Sequence, residues 1–165
     1  MDKKKSLNDY IAVYKGLLGQ GDIQIAYESL RKYVMALKAH FTKKSADKYS
    51  LGNVSPGYMD FTYFPFFNGF LRSRKLRFGI VLNHQKMRFE LWLMGQTAEH
   101  QAHYWELLKN TKWNKDRSVM PQYSVLEAIL IEEPDFNHLD ALSAEITNRA
   151  IRIAEEVQDF IKSME

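Results

Sequence analysis

The chain has 165 residues, 45% of them apolar and 26% charged, which fits one globular domain with a sizeable core and argues against disorder away from the ends. Its 23 basic and 20 acidic residues leave a formal charge of +3, too small to imply nucleic acid or an acidic membrane as a partner. The absence of cysteine excludes disulfides, thiol nucleophiles and cysteine metal sites.

The N-terminal run Met1-Asp2-Lys3-Lys4-Lys5 is not followed by an apolar segment, so the usual secretory signal is missing. No stretch approaches the ~18 apolar residues that cross a bilayer. The expectation is a cytoplasmic protein without a membrane partner. Ser6 and Asp9 have the spacing of a helix N-cap pair, and Tyr10, Ile11, Val13, Tyr14, Leu17 and Leu18 recur at helical spacing until Gly19-Gln20-Gly21. Asp22 is expected to cap a second helix, whose Ile23, Ala26, Tyr27, Leu30, Tyr33, Val34, Leu37 and Phe41 form one apolar stripe. The two read as a helical hairpin over about 6–42, followed by a polar loop from Thr42 to Gly57.

From Tyr58 the texture turns to strand: Tyr58 to Phe66, Leu76 to Leu82 and Met87 to Met94, the last two joined by an Asn83-His84-Gln85-Lys86 turn. Thr97 is placed to cap a helix running to about Leu108, and Tyr123 to Ile131 reads as a fourth strand. Asn137 and Asp140 open a last helix with Leu139, Ile146, Ile153 and Phe160 at seven-residue spacing, joined by Ala150, Val157 and Met164. Its expected use is packing on the sheet rather than a dimeric coiled coil. The fold class expected is therefore α+β over residues 1–165 as a single domain. Its element order is ααβββαβα, with an antiparallel or mixed sheet of about four strands packed against helices.

Successive residues of a strand point to opposite faces, so Phe89, Leu91 and Leu93 share one side of the third strand and Arg88, Glu90, Trp92 and Met94 the other. Across the hairpin, Arg77, Gly79 and Val81 are placed beside Glu90 and Trp92, and Gly79 is expected to leave open space above that face. The first strand adds Tyr58 and Asp60. The candidate ligand-binding set is thus Tyr58, Asp60, Arg77, Arg88, Glu90 and Trp92. The arginines supply charge-assisted donors, Glu90 an acceptor and Trp92 a stacking platform. A plain cross-strand ion pair on a solvated face is the competing reading.

Other clusters carry less. The basic run Arg72-Ser73-Arg74-Lys75 could meet phosphates, but the weak net charge and the absence of an RNA-binding signature disfavour nucleic acid. His100 and His103 lack the spacing and flanking Glu of the zinc helix, Trp92 stands where a restriction-type nuclease places lysine, and no motif implies a metal or cofactor.

Two segments, Met59-Asp60-Phe61-Thr62-Tyr63-Phe64 and Arg88-Phe89-Glu90-Leu91-Trp92-Leu93, carry a resemblance to small bacterial proteins of unknown function. By size and element order it covers most of the chain, and it implies no catalytic residues. The expected role is a module binding a small polar or aromatic ligand, or a peptide. The alternatives are a small hydrolase using Glu90 or Asp60 as general base with His84 or His103 nearby, and an interaction subunit presenting the N-terminal helices or the last helix, a homodimer included.

Overall fold

The computed structural model describes residues 3–165; Met1 and Asp2 of the N-terminal run lie outside the described residues. Ser6 and Asp9 close a reciprocal capping box: Ser6 Oγ accepts from Asp9 N at 3.3 Å, and Asp9 Oδ2 accepts from Ser6 N at 2.7 Å. Helix α1 (Leu7–Gln20) starts there and ends at Gly21, whose φ of 83° is a left-handed conformation that glycine adopts without penalty. Gly21 alone joins α1 to α2 (Asp22–Ser45). Asp22 is the first residue of α2 rather than its cap, where its charge faces the positive end of the helix dipole. The second half of α2 buries Tyr33, Val34, Leu37 and Phe41, whereas α1 buries nothing.

Five strands, one more than the sequence predicts, form a sheet that is antiparallel throughout and ordered as in the chain. They are β1 (Ser50–Leu51), β2 (Phe61–Phe67), β3 (Leu76–Asn83), β4 (Arg88–Gly95) and β5 (Leu126–Ile131). The added strand β1 is two residues inside the expected loop, paired to Phe67 and Phe66 of β2. At that length no alternation exists to be read. Strand β2 begins at Phe61 rather than Tyr58 because the Asp60 carboxylate accepts from Tyr58 N at 2.8 Å and Phe61 N at 2.7 Å, making the preceding residues a turn. Gly57 in that turn has φ 70°, and a Cβ there would meet the Phe61 carbonyl oxygen.

A short helix α3 (Gly69–Ser73), capped by Asn68 Oδ1 on Leu71 N at 3.0 Å, interrupts the run between β2 and β3. Helix α4 (Ala98–Leu108) starts at its Thr97 cap, as its sequence predicts, and α5 (Leu139–Met164) closes the chain. The order is ααββαββαβα.

One sheet face carries the core. Phe64, Phe66, Phe78, Ile80, Leu82, Phe89, Leu91 and Leu93 pack with Leu37 and Phe41 of α2, Leu108 of α4 and a stripe on α5. That stripe is Leu142, Ile146, Ala150, Ala154, Val157 and Ile161, not a strict seven-residue row. A straight helix turns every 3.6 residues and drifts against a heptad, so Leu139 and Met164 at the two ends rotate into solvent.

Candidate functional site

The opposite sheet face has its own, smaller apolar cluster: Val81, Trp92 and Met94 buried, with Phe61 and Tyr63 half-buried against them. All five are strand residues, and α5 packs on the other side of the sheet. At the hairpin end of this face lies Glu90, only 2% exposed. A carboxylate so desolvated is tolerable only when its lone pairs are filled. Three donors fill them: Arg88 Nε at 2.7 Å and Asn83 Nδ2 at 3.0 Å on Oε2, and Trp92 Nε1 at 2.9 Å on Oε1. Arg88 also reaches Glu132 through Nη1 at 3.2 Å.

The strand period puts Arg88, Glu90 and Trp92 side by side, as alternation predicts. The remaining members of the predicted set lie elsewhere. Arg77 pairs in register with Met94, four residues along the strand from the Val81 that faces Glu90, a separation of about 13 Å. Tyr58 is 94% exposed in the turn before β2. Asp60 lies in the same turn, its carboxyl held below the usual range by the Tyr58 and Phe61 backbone N–H groups. Gly79 does not leave an open floor, because Met94 Cε and Tyr63 Cδ2 lie 2.8 and 3.4 Å from where its Cβ would be.

Trp92 is 5% exposed, meets Phe61 edge-on at 4.8 Å between ring centroids, and spends its indole N–H on Glu90. The rings this face offers to solvent are therefore Phe61 and Tyr63, with Ile129 of β5 (48% exposed) beyond Glu90 in register. A second carboxylate lies two residues from Ile129 on the same strand. Glu127, opposite Trp92, accepts from Arg117 Nη2 and Ser124 Oγ, each at 2.9 Å. Residues 109–125, between α4 and β5, deliver that arginine, a placement with no periodic signal in the sequence. Asn83, by contrast, was open to the same alternation argument, since it shares the face and pairs with Arg88.

The two histidines of the hydrolytic alternative part company. His103 stands on α4 with its ring edge-on to Tyr104. His84 joins Asp60, whose carbonyl accepts from His84 N at 2.9 Å. Thr62 Oγ1 donates to the Pro56 carbonyl at 2.7 Å, so His84 Nε2, 2.8 Å away, carries the proton and donates to it. Burial pushes the His84 pKa below 6.5, partly countered by the Asp60 charge. A proton then binds the unfolded chain more readily than the folded one. Stability is expected to be full above pH 6.5 and to fall as the pH drops from there toward the lower folded value. A His84→Asn variant should lose that increment in urea titrations at successive pH values, and an unchanged slope would contradict it.

Among the described residues no helix is long and apolar enough to cross a membrane. No curated protein and no solved structure matches the chain. A family model does: it covers residues 7–161, from the first residue of α1 to the last turn of α5. The chain belongs to the family described as a domain of unknown function, DUF7000.

Proposed function

We propose that the protein is a recognition module that binds an extended peptide on the helix-free face of its sheet. The observation that carries this reading is the pair of half-exposed rings, Phe61 and Tyr63, resting on the buried Trp92–Glu90–Arg88 network. Rings held by a rigid support lose little conformational freedom on binding. The rings stand on the surface of the sheet, and a groove of about 570 Å³ lies elsewhere, between α2 and residues 53–56. Small-molecule sites are typically concave, so a peptide suits this surface better. Strand β5 is an edge of the sheet, and its exposed Ile129 extends the face to backbone that a peptide strand can pair with. Arg88, Asp60 and Tyr58 lie toward the Phe61 end of the face and supply polar contacts; Arg77 and the Arg117–Glu127 pair lie farther out and set the reach of a longer ligand.

The test is selection from a random displayed-peptide library, followed by amide chemical-shift mapping of a selected peptide. Shifts are expected on β2, β4 and β5. Phe61→Ala with Tyr63→Ala should weaken binding by at least about tenfold while the fold, read by circular dichroism, persists. Peptides that shift only residues around α2, or that bind the double variant equally well, would overturn the reading.

A further inference from the structure

Helix α1 carries a clean apolar row at i, i+3, i+4, i+7 spacing: Leu7, Tyr10, Ile11, Tyr14, Leu17 and Leu18. The first five of these are 45–73% exposed, and no residue of the helix is buried. Amphipathic helices are held mainly by packing their apolar face, so this one is built for a cover that the described residues of its own chain do not provide. A matching surface exists on the same molecule. Ala26, Leu30 and Tyr33 of α2, Met87 at the β3–β4 turn, Phe136 and Leu139 line an apolar groove of about 350 Å³, room for the side chains of a helical stripe rather than for a whole helix.

We propose that α1 is an exchange arm that docks its apolar row into this groove on a second copy of the chain, each copy giving its arm and receiving the other's. Two features point to a second copy. The joint between α1 and α2 is Gly21 alone, shorter than the connection of about 2–5 residues that usually joins helices folded back on each other, and the apolar row of α1 is left exposed. The ends also carry complementary charge: exposed Lys3, Lys4 and Lys5 precede the arm, and exposed Glu133, Asp135 and Asp140 flank the Phe136–Leu139 wall of the groove. A two-fold exchange repeats the contact, moving toward the ~800 Å² per partner that a stable interface buries. This arm and groove involve neither Phe61 nor Tyr63, so the proposal stands apart from the peptide-binding face.

Sedimentation over a concentration series should show a dimer that weakens as salt is raised. Ile11→Glu with Tyr14→Glu on the arm, and separately Leu30→Glu in the groove, should each raise the dimer Kd at least about 100-fold with an unchanged circular dichroism spectrum. The chain has no cysteine, so arm and groove can be cross-linked cleanly. Tyr14→Cys protein mixed with Ser29→Cys protein should form a disulfide between chains, and the doubly substituted chain should link to a second copy rather than within itself. A monomer at every concentration would overturn the proposal and leave α1 to a different protein. A dimer indifferent to Leu30→Glu, or one in which Tyr14→Cys links only to its own counterpart, would overturn it as a simple arm-to-arm contact.

Discussion

Replacing Glu90 with alanine is expected to lower the unfolding free energy by about 3–5 kcal/mol, the cost of removing one partner from a buried ion pair. The carboxylate is the acceptor for three donors that have little water to turn to: Arg88 Nε at 2.7 Å, Trp92 Nε1 at 2.9 Å and Asn83 Nδ2 at 3.0 Å. Without it, a guanidinium only 19% exposed keeps a single contact to the outlying Glu132, and the indole N–H inside the aromatic cluster has no acceptor. Glu90→Gln should fall between wild type and alanine, since the amide oxygen can still serve one donor while its NH₂ group opposes the others. Urea denaturation followed by tryptophan fluorescence measures both. A loss below about 1 kcal/mol for the alanine variant would mean that the network adds nothing beyond an exposed pair.

Phe66→Ala should cost a similar ~3–5 kcal/mol for a different reason, the loss of buried surface plus the cavity left behind. Its ring is fully buried, with centroids of Phe41, Tyr49 and Phe78 at 4.8, 4.9 and 5.4 Å, so it ties α2, the segment before β1 and β3 together. The next residue provides the control. Phe67, the last residue of β2, packs at the rim of the same core, is half-exposed and lies under the Arg72 guanidinium at 4.7 Å. Phe67→Ala should cost well under half as much, because only part of its surface leaves water on folding. Equal costs for the two would contradict the difference in burial between the centre of the core and its rim.

Much of the fold was legible in the sequence because its signals are local. The Ser6–Asp9 box, the Thr97 cap and the Asn83–Lys86 turn each rest on hydrogen bonds within three residues, and each is present. Strands β3 and β4 alternate over eight residues each, long enough for period two to stand out. Strand β1 was not legible, since two residues have no period and are strand only by virtue of β2 beside them. The candidate site divides the same way. Arg88, Glu90 and Trp92 share a face by parity alone, while Arg77 was assigned to Glu90 by parity without register. In the sheet Arg77 falls opposite Met94, and the cation that meets Glu90 is two residues away on its own strand.

The sequence by itself determined the starts of α1 and α4, the β3–β4 hairpin and which side chains share a strand face, since each depends on backbone geometry within a few residues. The tertiary structure alone decided what those faces meet. Amphipathic spacing states that a surface needs cover and not what will cover it. Thus α2 and α5 find the sheet, the apolar row of α1 stays exposed, and the polar row of β4 closes on itself around Glu90 instead of facing solvent. Register, the drift of a 3.6-residue helix against a seven-residue row, and the arrival of Arg117 from a distant loop are long-range outcomes of packing.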